Sequence, residues 1–328
     1  MKILMLSSTF PYPPERGGTQ VRTFNLLKYL SQRHSIALVT QRSQDVTETE
    51  IEKLQEYVEE LAIFPRPQIL QSVGIWGKVR RFGRFLLEGT PPNVLSIYSQ
   101  AMQNWIDEFV LAGKCDILTC EHGVNEIYVR PEWRQKLCTV VNIHSSVYGT
   151  CRQVLETGIS EKPLRDRLNL PLLARYEKRY CSKFSRLVVT TDEDRQQLQE
   201  LIATPQPEKN QNCKIEAIPN GVDLAEFPYR KTDPGGRRLI FIGAMDNLAN
   251  IDAVRFLSLE VLPVLQQRYP DTTLTIVGAK PVAEVLELSL QPGITVTGRV
   301  PSMAEYLHQA TVCAVPMRIG LGIKNKTL

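Results

Sequence analysis

The sequence predicts an α/β protein made of two doubly wound parallel sheets, one in each half. Three observations predict it. Short apolar runs alternate with stretches of helical period in both halves. A strand–loop–helix–strand order, which requires parallel pairing, stands at the very start. The length of 328 residues suits two domains of about 150 residues each.

The first unit opens with the apolar strand Lys2–Ser7. Pro11-Tyr12-Pro13-Pro14 then excludes helix and central strand, and Gly17-Gly18 closes the loop. Thr19 is the expected cap of a helix with Val21, Phe24, Leu27 and Leu30 on one face, followed by strand Ser35–Thr40. Further strands are expected at Leu61–Phe64, Ile117–Cys120, Cys138–Ile143 and Leu187–Thr190, and a long helix over Leu168–Phe184. Composition shifts at Thr204–Asn212, which carries Pro205 and Pro207. This gives an N-terminal domain 1–204, a linker 205–235 and a second domain 236–328.

The second domain restarts the alternation. Strand Arg238–Gly243 precedes helix Ile251–Arg268, and strand Thr273–Val277 precedes helix Val282–Leu290. Strand Ile294–Thr297, helix Met303–Gln309 and strand Val312–Val315 follow. The helix expected after the final glycine- and lysine-bearing loop is absent, so this domain reads as incomplete.

Composition excludes several classes. Hydrophobic residues at 43% and charged residues at 23% fit a globular chain and not a disordered one. A net charge of +4 is too small to mark a nucleic-acid binder. No apolar run approaches the roughly 18 residues of a membrane span, and Met1–Leu6 is too short for a signal-peptide core. Seven scattered cysteines without a Cys-x-x-Cys pair point to reduced thiols and a cytoplasmic setting. No spacing suits a structural zinc, and neither a Gly-x-Ser-x-Gly elbow nor a phosphate loop ending in Gly-Lys-Ser/Thr is present. The loop after the first strand lacks Gly-x-Gly-x-x-Gly, which counts against a nicotinamide- or flavin-dependent oxidoreductase.

Some residues carry chemistry by position. Gly17 and Gly18 lie between a parallel strand and a helix N-terminus, where exposed amides and the helix dipole favour a phosphate or a sugar; a plain tight turn is the simpler alternative. His122 and His144 each follow a strand at its carboxyl end, where open α/β sheets place ligands, while His34 and His308 read as structural. Arg318, Lys324 and Lys326 interleave with Gly320 and Gly322 past the last strand, a combination that suits a diphosphate or makes a solvated basic tail. In Trp76–Leu87 the cations Lys78, Arg80, Arg81 and Arg84 alternate with Trp76, Phe82 and Phe85. This is either a helix packed by its aromatics or a peripheral membrane contact through Trp76, Arg80, Arg81, Arg84 and Phe85.

Several ordered segments resemble the GT-B glycosyltransferases of retaining family 4. They are Pro219-Asn220-Gly221-Val222-Asp223, Phe241-Ile242-Gly243-Ala244-Met245-Asp246, Asn250-Ile251-Asp252, Val261-Leu262-Pro263, Ile276-Val277-Gly278, Val296-Thr297-Gly298-Arg299 and Val315-Pro316-Met317-Arg318. Gly320–Lys326 closes the series, and the branch it resembles is linked to bacterial exopolysaccharide assembly. The resemblance implies two Rossmann-like domains facing a cleft and transfer of a sugar from a nucleotide-diphosphate donor with retention of configuration. It implies no metal and no cofactor. It places His122 and His144 beside the donor sugar, as catalytic candidates, and donor binding at Gly17, Gly18, Gly243, Arg299, Arg318, Gly320, Gly322 and Lys324. A glycan or lipid-linked cell-envelope acceptor is implied, on the inner face of the membrane, with no nucleic acid.

Two departures from the family pattern stand out. The loop Asp246–Asn250 lacks the family's clamping Arg and Lys, so Arg318 and Lys324 are expected to supply that charge. The family's glutamate pair would begin just after Leu328. The chain therefore reads as truncated, with a rival reading as an inactive remnant that binds acceptor or membrane only.

Overall fold

The computed structural model describes residues 1–67, 83, 85–87, 89–158, 160, 162–203 and 213–318. They form two compact units that divide between Asn220 and Gly221.

In the first unit a seven-stranded sheet runs β3-β2-β1-β4-β5-β6-β7. Its strands are β1 (Lys2–Ser7), β2 (Ser35–Arg42), β3 (Glu60–Pro65), β4 (Ile117–Glu121), β5 (Cys138–Asn142), β6 (Arg186–Val189) and β7 (Lys214–Ala217). Every pairing is parallel. Strand order reverses between β1 and β4, so the crevice outside their carboxyl ends is the place where such sheets take ligands.

Alternation along the strands builds a core on each face. Leu4 and Leu6 of β1 pack on one side with Leu118, Cys120, Val141, Phe184 and Leu187. Ile3 and Met5 pack on the other with Phe24 and Leu27 of helix α1 (Gly18–Ser31) and Leu54 of helix α2 (Glu48–Gln55). Burial on both faces is why β1 reads as an unbroken apolar run.

The second unit holds a parallel four-stranded sheet of order β10-β9-β8-β11. The strands are β8 (Arg238–Ile242), β9 (Thr273–Val277), β10 (Ile294–Gly298) and β11 (Val312–Cys313). Phe241, Leu274 and Ile276 face one core, and Ile240, Ile242 and Val277 the other. The helix expected at Ile251–Arg268 runs from Leu248 to Arg268 but widens into a π turn over Leu257–Val261. Pro263 explains the widening: it has no N–H to give and its ring collides with the carbonyl four residues back.

Several expectations need correction. Strand β7 lies inside the stretch read as linker, and its short polar sequence Lys-Ile-Glu-Ala hid it. The expected cap Thr19 sits within the first turn of α1; Gly17, in extended backbone, is the cap residue. Val282–Leu290 is a single α turn, Ala283–Leu286, followed by a 3-10 turn. Phe85 is only 4% exposed, so its ring is spent on the core and is not a membrane anchor. Trp76, Arg80, Arg81 and Arg84 lie outside the described residues, as do Gly320, Gly322 and Lys324. Among the described residues no helix is long and apolar enough to cross a membrane.

Candidate active site

Four groups converge at the switch point of the first sheet. Helix α1 begins directly after the loop from β1, and its cap residue, Gly17, has no side chain to hold the first amides. Those N–H groups and the positive end of the helix are available to an anion. A Cβ on Gly18 would meet nothing within 4 Å, so the close approach there is toward open space.

At the end of β4, His122 adopts a positive φ of 90°, a conformation uncommon for a residue with a Cβ. Hydrogen bonds hold it there. Its N–H donates to the Asn142 carbonyl at 3.1 Å, its carbonyl accepts from the Asn125 N–H at 3.1 Å, and its Nδ1 accepts from the Val124 N–H at 3.3 Å. Asn125, 1% exposed, ties the two loops of the switch point together. Its Oδ1 accepts from the Ser8 N–H at 2.8 Å, and its Nδ2 donates to the Glu121 carbonyl at 2.6 Å.

His144, just after β5, meets His122 edge to face with ring centroids 5.0 Å apart. Among the described residues its buried Nε2 has no hydrogen-bond partner. Burial first, then His122 and Arg22, lower its pKa to about 3, so the ring is neutral near pH 7. Burial also lowers the His122 pKa. Both imidazoles therefore act as neutral hydrogen-bonding groups.

Beneath them lies Glu121, which is fully buried. Its Oε1 accepts from Thr119 Oγ1 at 2.8 Å and from Asn142 Nδ2 at 3.1 Å. Burial raises its pKa to about 7 against these hydrogen bonds and the nearby Arg22 charge. Arg22, on α1, donates to the side chain of Asn220, and burial lowers its own pKa while Glu121 opposes that. Glu177 steadies the loop carrying His144. Its Oε2 accepts from Ser146 Oγ at 2.7 Å and from the Tyr148 N–H at 3.1 Å, at the start of helix Val147–Glu156.

The second unit has its own switch point, between β8 and β11. Gly243, after β8, touches the loop after β9 so closely that a Cβ on Gly278 would fall 1.7 Å from the Gly243 oxygen. Arg318, after β11, forms a two-pronged pair with Asp252 of helix Leu248–Phe256, Nη2 to Oδ1 at 2.5 Å and Nε to Oδ2 at 3.0 Å. The guanidinium also lies over the Phe256 ring, 5.0 Å from its centroid. The charge expected to be free for a ligand is thus partnered by a carboxylate. Lys280, from the loop after β9, reaches Asp246 at 3.4 Å and brings a cation to the loop that has none of its own. Arg299 is exposed beyond β10.

The structure thus brings His122, His144, Gly17 and Gly18 to one sheet end, and Gly243 and Arg318 to another. Sequence reasoning missed Arg22, Glu121, Glu177, Asp252 and Lys280. Glu121 alone carried a local signal, as the charged residue directly before His122 at a strand's carboxyl end. Among the described residues no three His, Cys, Asp or Glu side chains gather to hold a metal.

Two parallel doubly wound units, with polar groups collected at their switch points, form the α/β architecture of the GT-B class. Solved structures share the fold. A sucrose-phosphate synthase from Thermosynechococcus elongatus is 15% identical with a TM-score of 0.58, over 97% of this chain and 76% of that one. A mutant of S. aureus TarM in complex with Fondaparinux, alpha-GlcNAc-glycerol and UDP is 11% identical with a TM-score of 0.54, over 95% and 80%. An E. coli trehalose-6-phosphate structure with bound UDP-2-fluoro glucose is 11% identical with a TM-score of 0.51, over 94% and 76%. Residues 16–226 match the model described as Glycosyltransferase Family 4, and the chain belongs to that family. Residues 236–328 match the model described as Glycosyl transferases group 1. No curated protein matches the sequence.

Proposed function

We propose that the protein transfers a sugar from a nucleotide-diphosphate donor to a glycan or lipid-linked cell-envelope acceptor, with retention of anomeric configuration. The observation that carries this reading is the grouping of His122, His144, Arg22 and the glycine-led start of α1 at the switch point of the first sheet, in a family 4 chain. UDP in two of the similar structures makes a UDP-sugar the first donor to try.

In this reading the bond between the anomeric carbon and the diphosphate oxygen breaks. The acceptor oxygen bonds that carbon on the face the diphosphate leaves, and its proton passes to a leaving oxygen. Neutral imidazoles at His122 and His144 hold sugar hydroxyls and orient the anomeric carbon. Glu121 fixes Asn142, and through it the backbone of His122. The donor's diphosphate is assigned to Arg318, Lys324 and the glycines Gly243, Gly320 and Gly322, which stabilise the charge that grows on the leaving group. No metal or cofactor is assigned a role.

The test is incubation with UDP-, GDP- and ADP-sugars, reading nucleoside diphosphate release and the anomeric configuration of the product by NMR. Release that falls at least about 100-fold in His122→Ala and His144→Ala supports the reading. Equal release by all three proteins refutes the site, and an inverted product refutes retention.

A further inference from the structure

The loops that carry His122 and Ser145 also wall a cavity of about 150 Å³ within the first unit. Its surface is largely hydrocarbon: Val94, Val124, Val147 and Leu173, with the ring of Tyr176. His122 and Ser145 supply polar groups. Gly123 places the His122 loop beside the far wall, where the Tyr180 hydroxyl oxygen lies 3.4 Å from the position a Cβ would take. A cavity of about this size with apolar walls holds a benzene-sized guest.

The imidazole in that wall has a defined tautomer. Nδ1 of His122 accepts from the Val124 N–H, so the neutral ring carries its proton on Nε2 and can donate from there. The residue is kept at φ 90° by its backbone hydrogen bonds, and strain of this kind is stored where a side chain must point one way. A hydrogen-bonding ring in a hydrocarbon wall suits a molecule with a hydroxyl at one end and an apolar body.

We propose that this cavity seats a hydrocarbon group of the acceptor, the size of a benzene ring or one isoprene unit, carried close to the hydroxyl that attacks. The acceptor is then an alcohol or glycoside with an apolar arm, not a free hexose. The word acceptor rests on the glycosyl-transfer reading; occupancy by a small hydrocarbon does not.

Two probes test it on the full chain: benzyl alcohol and 3-methyl-3-butenol, titrated while the histidine ring protons are followed by NMR. The His122 signal should shift saturably with both. Leu173→Phe fills the cavity from the long helix and Val94→Phe from the opposite wall, and either should weaken probe binding at least tenfold. Near-UV circular dichroism identifies a variant that fails to fold, in which case the other decides. An unmoved His122 signal, or equal binding by a folded filled variant, overturns the proposal. In turnover, benzyl or prenyl glycosides should exceed free hexoses at least tenfold in kcat/KM, and equality overturns it. If no donor releases nucleoside diphosphate, the glycosyl-transfer reading fails while the titration still decides the cavity.

Discussion

His122 stands edge-on to His144 with ring centroids 5.0 Å apart, and the two rings come from the ends of adjacent parallel strands. Each ring is held neutral, and the fully buried Glu121 lies immediately before the first of them. This arrangement ties the stability of the unit to pH in a way that can be measured.

The pKa of His144 falls from 6.5 to about 3 on folding, so between those values the unfolded chain binds the extra proton and stability rises with pH. That of Glu121 rises from 4.5 to about 7, so between those values the folded chain holds the extra proton and stability falls as pH rises. From pH 4.5 to 6.5 the two slopes oppose each other. Glu121→Gln should remove one of them and leave stability rising by about 1.4 kcal/mol more per pH unit than in the wild type. Urea unfolding at pH 5, 6 and 7 checks this; parallel curves for the two proteins would mean Glu121 does not titrate there.

His122 separates stability from activity. At φ 90° a glycine is free of the Cβ strain that alanine keeps, so His122→Gly should be about 1 kcal/mol more stable than His122→Ala. Both should lose transfer activity alike. Denaturant midpoints alongside nucleoside diphosphate release would show it, and a more stable alanine variant would contradict the strain argument.

The carboxylate of Asp252 occupies the guanidinium of Arg318, and the pair is half exposed on the arginine side. Solvent on the arginine side screens the pair, so it adds little to stability. Asp252→Asn should therefore leave the melting temperature nearly unchanged while tightening nucleoside diphosphate binding, and Arg318→Ala should weaken binding at least about tenfold. Calorimetric titration with UDP decides; tighter binding after loss of Arg318 would remove it from the donor site.

Gly278 has no room for any side chain. Its Cβ would sit 1.7 Å from the Gly243 oxygen, a backbone atom that cannot rotate away. Gly278→Ala should cost the second unit about 3 kcal/mol or more. A melting temperature within a degree of wild type would show that the two loops separate freely.

The strands were legible where burial on both faces forces continuous apolar runs, as in β1 and β2. Strand β7 was not, because an edge strand keeps lysine and glutamate in water. The histidines were visible because each follows an evident strand. Arg22, Glu177 and Asp252 were hidden because they act from helices, where their partners lie far along the chain: 198 residues for Arg22 and Asn220, and 66 for Arg318 and Asp252. No local pattern records such a meeting. Conversely, Arg318 was legible as a cation but its carboxylate partner was not, so its charge read as free.

The swollen turn at Leu257–Val261 has an implication for how this chain can change length. One surplus residue is absorbed there, so everything downstream on that helix is rotated by about a quarter turn from where a regular coil would put it. Deleting exposed Leu259 together with a Pro263→Ala exchange should therefore restore the ordinary winding without disturbing Asp252. A shortening of the same kind upstream, between Asn250 and Phe256, would swing Asp252 away from Arg318.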